Sequence, residues 1–387
     1  MKNIALFLLM LVIATFFTGC KNNGHNVSEN DITKSEKVSN VKGFSCENFN
    51  IETDDQIFFD DNHSIIACEE GYYYFSGEFL FFLDKNSEVA VPLCNKPNCT
   101  HTSEDLNCNA YFDSEQYYNY LGLFYYNSSI YILGNDGKSN STNLYLYKIS
   151  KDGSKREQFC HLVEFGSNAN DMKIRFIIHK GVGYLAYGGN NEFALYSFVL
   201  NDKNSELKKI DEINGVGAEI YRLYGCDSGV SYQYGCFVDE SLEIYDGGIK
   251  IYLGNNPQVV VDNAIKPYVI ANANVYYETS DGIKVKSLNN NLTTNFLTVS
   301  KAYSLDYDGK YFYAYDIMID GSQSVYVYDN EQNFVCDFST PTNTFSMLFG
   351  DENRFFCMCF DDNQNSIIKY FDKSQIKTGK INWENIK

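Results

Sequence analysis

Seven times along this chain, a short run rich in aromatic and β-branched residues is followed by a turn and a second run of alternating apolar and polar or tyrosyl residues. Tyr72-Tyr73-Tyr74 leads to Leu80-Phe81-Phe82-Leu83-Asp84, and Ile130-Tyr131-Ile132 leads to Leu144-Tyr145-Leu146-Tyr147. Tyr184-Leu185 leads to Leu195-Tyr196-Ser197-Phe198, and Tyr232-Gln233-Tyr234 to Leu242-Glu243-Ile244-Tyr245-Asp246. Val275-Tyr276-Tyr277 precedes Ile283-Lys284-Val285, Tyr311-Phe312-Tyr313 precedes Val325-Tyr326-Val327-Tyr328-Asp329, and Phe355-Phe356-Cys357 precedes Ile367-Ile368-Lys369-Tyr370. Runs of this length and alternation predict strands, and after residue 20 no long stretch carries a helical period.

Tyr73, Tyr131, Tyr184, Tyr232, Tyr276, Phe312 and Phe356 mark equivalent points, spaced by 58, 53, 48, 44, 36 and 44 residues. A period of about 45 residues accommodates four short strands per unit. A four-stranded sheet cannot bury both faces alone, so neighbouring sheets must stack, and radial stacking closes the array with only short edges. The expected fold is therefore all-β: a seven-bladed β-propeller with four antiparallel strands per blade. Asn135-Asp136-Gly137, Asp152-Gly153, Asp281-Gly282 and Asp308-Gly309 supply turns between strands. A pair of β-sandwiches is the alternative, but it would not require seven similar units.

Composition strengthens the strand reading: 32 Tyr and 29 Phe stand against 5 Pro. The segment Leu144-Tyr145-Leu146-Tyr147-Lys148-Ile149-Ser150-Lys151-Asp152-Gly153-Ser154 resembles the repeat of a bacterial propeller family related to low-density-lipoprotein-receptor-type propellers. The resemblance spans roughly residues 55–380. It implies a surface lipoprotein propeller without an assigned enzymatic activity.

The N-terminus has a different pattern. Lys2 precedes an apolar run from Ile4 to Phe16, and Phe17-Thr18-Gly19-Cys20 closes it. This order is a secretory signal, and thirteen apolar residues fall short of the roughly 18 a spanning helix needs. The Gly-Cys end resembles the lipobox of bacterial lipoproteins, which implies lipidation of Cys20 and removal of residues 1–19. A plain secreted form is the alternative. Residues 20–45 are polar and read as a flexible lipid-anchored stalk, leaving residues 46–387 as a single propeller domain. The expected location is the extracytoplasmic face of the cell membrane.

The chain carries a formal charge of −19, and loss of residues 1–19, with Lys2, makes it −20. Such a balance argues against nucleic acid as a partner and suits an exposed, soluble exported domain.

One motif stands apart from the repeat. Residues 91–111, in the longest gap between anchors, contain Cys94, Cys99, His101 and Cys108 as Cys-x4-Cys-x-His-x6-Cys. It reads as an insertion between the first two blades. Three thiolates and one imidazole complete a tetrahedral Zn²⁺ site with no open position, which would be structural rather than catalytic. Disulfides, Cys94–Cys99 or Cys99–Cys108, and free thiols are the other readings. The loop also resembles the Leu-Cys-x-x-Pro-x-Cys-x-His loop of surface lipoproteins from anaerobic clostridia and their relatives.

Of the other cysteines, Cys226 and Cys236 flank an expected hairpin and could pair across it, while Cys357 and Cys359 share one strand face as small core residues. Cys46, Cys68, Cys160 and Cys336 have no informative spacing. Neither Gly-x-Ser-x-Gly nor His-Glu-x-x-His occurs, and His25, His63, His161 and His179 have no catalytic setting. Asp54-Asp55, Asp60-Asp61, Asp306, Asp308 and Asp361-Asp362 are the carboxylates that could serve glycosidic chemistry or hold Ca²⁺. Adjacent Asp residues are more often turn formers. Trp383 is the sole tryptophan for a sugar platform. The leading functional expectation is a lipid-anchored binding or scaffold module for a protein or glycan. The alternative is an extracytoplasmic carbohydrate- or peptide-processing enzyme using propeller-face carboxylates.

Overall fold

The computed structural model describes residues 64–386 apart from 104, 106, 114–121, 136–142, 166–171, 190, 203–204, 227–228, 243–244, 265–267, 272, 280–281, 299–303, 318–321 and 349. The signal segment, Cys20, the stalk, Cys46, Asp54-Asp55, Asp60-Asp61 and His63 lie outside the described residues.

Seven sheets, each of four strands joined in sequence order and all antiparallel, form the ring of a seven-bladed propeller. The seven sequence anchors fall on the second strands: Gly71–Ser76, Ser129–Gly134, Val182–Gly189, Gly229–Phe237, Asn274–Thr279, Phe312–Ile317 and Arg354–Phe360. These strands carry the aromatic doublets because both of their faces are buried. Successive side chains point to opposite faces, so each member of a doublet enters a different blade interface. Tyr73 packs with Leu123, Tyr125 and Ile130 of blade 2, whereas Tyr72 and Tyr74 pack with Leu348, Phe356 and Tyr370 of blade 7. Phe312 joins blade 5 and Tyr313 joins blade 7.

The hydrophobic core is accordingly divided into seven clusters, one at each interface between adjacent blades. First strands of successive blades approach one another and line the axis, as Lys173–His179 does with Val216–Cys226. At the turns that follow three of the third strands, an Asp supplies a side-chain acceptor. Asp84 accepts the Asn86 amide at 2.7 Å, Asp152 that of Ser154 at 2.9 Å, and Asp329 that of Asn333 at 2.8 Å.

Closure between blades 7 and 1 involves no exchanged strand among the described residues. All four strands of blade 7 come from the C-terminal segment, starting with Thr344–Leu348 and ending with Glu384–Asn385. The seam is made by side chains. Tyr72 donates its hydroxyl to both Asp351 oxygens at 3.1 and 3.0 Å, and Lys85 lies 3.4 Å from the same carboxylate. Arg354 donates to the Lys85 carbonyl at 2.9 Å while its guanidinium covers the Tyr370 ring at 4.4 Å. A 3₁₀ helix, Lys373–Thr378, follows the third strand of blade 7 and sends Lys373 into the seam with blade 6, where it bonds the Asp308 carboxylate.

Two expectations need correction. In the fourth unit the third strand is Tyr245–Tyr252, and Leu242 lies outside it, exposed and with φ 58°. The apolar alternation that fixes this strand is carried by Ile249 and Ile251, beyond a Gly247-Gly248 pair that reads as a turn. Cys226 and Cys236 do not pair across their hairpin. Cys226 faces Gly229 beside the turn, whereas Cys236 faces Asp246 near the other end, and both are thiols. The cysteine loop lies in sequence between Val91–Pro92, the outer strand of blade 1, and Leu123–Tyr126, the first strand of blade 2, and its far end returns to blade 1 through the bridge between Tyr111 and Phe79.

Candidate metal centre

The outer strand of blade 1 is built in two pieces. Val91–Pro92 pairs with Phe82 and Phe81, and Leu93 donates its amide to the Leu80 carbonyl at 2.8 Å. If the strand continued, residue 94 would face Phe79. Instead Tyr111 faces Phe79, the Leu80 amide bonds the Ala110 carbonyl at 2.9 Å, and the Phe112 amide bonds the Glu78 carbonyl at 2.8 Å. The chain leaves the ladder at Cys94, makes an excursion, and returns just after Cys108. Cys94 and Cys108 therefore stand at the two ends of one break.

The excursion folds through tight turns. The Cys99 amide bonds the Lys96 carbonyl at 3.3 Å, and the Cys108 amide bonds the Asp105 carbonyl at 2.8 Å. Asp105 also accepts the amides of Thr100 at 3.4 Å and Asn107 at 3.2 Å, so one carboxylate pins both arms. Asn98 and His101 adopt φ of 62° and 52°, the left-handed region that costs a non-glycine residue about 1 kcal/mol or more. At His101 this bend accompanies an imidazole turned toward the cysteines.

The ligand atoms of Cys94, Cys99, His101 and Cys108 all lie within 4.8 Å of one another. His101 Nδ1 is 3.7 Å from Cys108 Sγ. Tetrahedral Zn²⁺ with sulfur at about 2.3 Å and nitrogen at about 2.0 Å requires ligand-to-ligand edges of roughly 3.5–3.8 Å. The His101–Cys108 separation matches such an edge, and every other ligand-to-ligand distance is at most 4.8 Å, about 1 Å beyond it. Its sulfurs are thiols rather than disulfides, and Cys108 is fully buried while the other three are partly exposed.

The electrostatics suit soft-metal binding. Burial acts to raise the Cys94 thiol, but the Asn109 and Lys96 amides and the neighbouring Cys99 and Cys108 hold it below the ordinary thiol value. The Asn109 amide donates to Cys94 Sγ at 3.4 Å. Desolvation, followed by hydrogen bonds to Cys108, Asp105 and Cys94, pushes Cys99 up to about 12. The two sulfurs are therefore held unequal, Cys94 below and Cys99 above the ordinary thiol value. A bound cation would remove that difference.

The candidate carboxylates are engaged elsewhere. Asp308 accepts the Lys310 and Tyr311 amides at 2.8 and 2.7 Å, the Tyr313 hydroxyl at 2.6 Å and Lys373. Asp306 accepts the Tyr315 hydroxyl at 2.8 Å and pairs with Arg222 of blade 4 at 3.7 Å. Asp361 closes a turn onto Asn363 and Asn365. His161 bonds Asn143 at 3.0 Å, and His179 is buried. Trp383 packs edge-to-face against Phe371 with ring centroids 5.0 Å apart, half-buried beside the blade 6–7 cluster. Asp351 and Lys373 were missed by the motif search. Aligning the first-to-second turns would have found Asp351, because its Oδ1 accepts the amides two and three residues on, as that of Asp308 does.

No protein-family model matches the chain, and no curated protein matches it in sequence. Among solved structures, an uncharacterised protein of Listeria monocytogenes EGD-e aligns at 9% identity and a TM-score of 0.45, covering 67% of this chain and 79% of that one. An oligogalacturonate lyase in complex with manganese aligns at 11% identity and 0.42, covering 66% and 73%. Dipeptidyl peptidase 4 of Porphyromonas gingivalis aligns at 10% and 0.38, covering 82% and 49%. These likenesses carry no argument about activity.

Proposed function

We propose that the protein is an extracytoplasmic, lipid-anchored propeller that holds a protein or glycan ligand without transforming it, and that Cys94, Cys99, His101 and Cys108 bind a structural Zn²⁺. The observation that carries the metal assignment is the convergence of four ligand atoms within 4.8 Å from a single interrupted strand. Four protein ligands leave no coordination position for a substrate or a reactive water, so the ion's role is to close the strand break. The binding reading is supported by the engagement of Asp306, Asp308 and Asp361 in ion pairs and turns, which leaves the enzymatic alternative without a carboxylate pair at these positions.

Metal analysis of protein purified without chelator tests the site. One equivalent of zinc, lost in Cys99→Ser, is the expected result, and a metal-free, reduced, folded protein would refute the assignment. Membrane fractionation of Cys20→Ala tests the anchor, with release from the membrane expected. An affinity pull-down from detergent-solubilised host membranes tests the binding role. A stoichiometric, unmodified partner supports it, and turnover of a captured polysaccharide or peptide would favour the enzyme.

A further inference from the structure

The metal loop does not touch blade 1 alone. The turn between the third and fourth strands of blade 2, residues 150–155, lies against its base. The Gly153 carbonyl accepts the Asn109 side-chain amide at 2.7 Å and the Asn95 backbone amide at 3.4 Å. Asn95 follows Cys94 and Asn109 follows Cys108, so one oxygen of blade 2 is gripped by the immediate neighbours of two metal ligands. Asn109 is buried where it meets that oxygen.

Two further residues tighten the junction. Gly153 has φ 68°, and a Cβ there would sit 2.5 Å from the Leu93 carbonyl oxygen and 2.9 Å from the Cys94 nitrogen. Only glycine lets the turn approach this backbone so closely. From the fourth strand of blade 2, Arg156 donates to the Tyr111 carbonyl, and to that of Asn109 at 3.5 Å, and lays its guanidinium over the Phe112 ring at 4.9 Å.

We infer that the ion is a clasp between blades: metal occupancy and docking of the 150–155 turn onto blade 1 form one coupled equilibrium, with Gly153 and Arg156 of blade 2 acting as positioning residues for the metal site. This rests on the metal assignment made above. The physical reason is geometric. Asn95 and Asn109 grip one carbonyl oxygen from the two ends of the strand break, which the ladder bonds to Leu80 and Glu78 bring together and an ion bonded to Cys94 and Cys108 would lock in place. Linkage makes the effect reciprocal, so undocking the turn must weaken metal binding by the factor with which metal strengthens docking. Outer contacts of this kind typically carry about 10–100-fold in metal affinity.

The test uses the full reduced protein with Zn²⁺ and a competing chromophoric chelator. Gly153→Ala and Arg156→Met should each weaken zinc binding by about tenfold or more. Asp329→Ala, in the equivalent turn of blade 6, should leave it unchanged. Hydrogen exchange on the unmutated protein supplies a readout independent of any variant. Amides of residues 150–155 should be slowed by zinc, while those of residues 329–333 should not. If the unmutated protein binds no zinc, the metal assignment itself falls. If it binds zinc but exchange at 150–155 is insensitive to the metal, or both blade 2 variants bind within twofold of the parent, the clasp is overturned and the metal assignment stands.

Discussion

At the scale of single residues, the seams depend on a few buried polar groups whose partners are fixed. Lys373 is almost wholly buried, and desolvation lowers its pKa despite the opposing pull of the Asp308 carboxylate. Its ammonium bonds that carboxylate and, at 2.6 Å, the Asp351 carbonyl. Lys373→Met would leave Asp308 buried and uncompensated, a change that typically costs about 3–5 kcal/mol. The double variant with Asp308→Asn should recover a large part of that loss in denaturant titrations, and additive losses would show that the pair is not coupled. At the metal loop the expected signature is a pH slope. A thiol that must release its proton on metal binding lowers apparent affinity by about one decade per pH unit below its pKa. Cys99, pushed up to about 12, keeps its proton throughout the neutral range. Apparent zinc affinity should therefore rise by at least about tenfold per unit from pH 6 to 8, and a flat profile would remove Cys99 from the ligand set.

At the scale of strands, legibility followed burial. Second strands were legible because both faces are buried and each doublet repeats that fact in the sequence, as Tyr72-Tyr73 and Phe355-Phe356 do. Outer strands were less so where few side chains are buried, as in Lys208–Asn214, in which only Ile213 is. The clearest case is blade 1, where the interrupted strand looks like a linker until Tyr111 is seen to face Phe79. The spacing of Cys94, Cys99, His101 and Cys108 pointed to a metal cluster alongside disulfides and free thiols, and the four side chains do converge, whereas the Gly153 contact joins distant parts of the chain and leaves no local mark. The third strand of blade 4 was misplaced for a related reason: Gly247-Gly248 looks like a break, yet a Cβ at Gly248 would lie 2.3 Å from the Val261 carbonyl oxygen. Glycine is there to let the fourth strand, Gln258–Asp262, pair closely. Gly248→Ala should cost about 1–3 kcal/mol and speed amide exchange across residues 258–262. Unchanged exchange there would mean that the strand accommodates the methyl group.

At the scale of the ring, the decisive feature is how the circle closes. Each interface has its own apolar cluster, so the ring resembles a repeat array whose two ends have been joined. At the seam between blades 7 and 1, the described residues meet through the Leu348, Phe356 and Tyr72 cluster and through the Asp351 carboxylate. Burial works to raise the Asp351 pKa, but the Arg354 and Asn353 amides, the Lys85 charge and the Asn353 side chain hold it below 3.8. A carboxyl depressed in the folded state adds stability that is fully present above its unfolded pKa of about 3.9 and is lost as pH falls through the folded value. Asp351→Asn should therefore be less stable than the parent by about 1–3 kcal/mol at pH 7, with the gap narrowing below about pH 4. Amides of Gly71–Ser76 and Arg354–Phe360, which flank the seam, should lose protection first on acidification, ahead of those at the blade 3–4 interface. An equal gap at both pH values would assign the loss to packing. Simultaneous loss of protection around the ring would mean that closure is no weaker than any other interface.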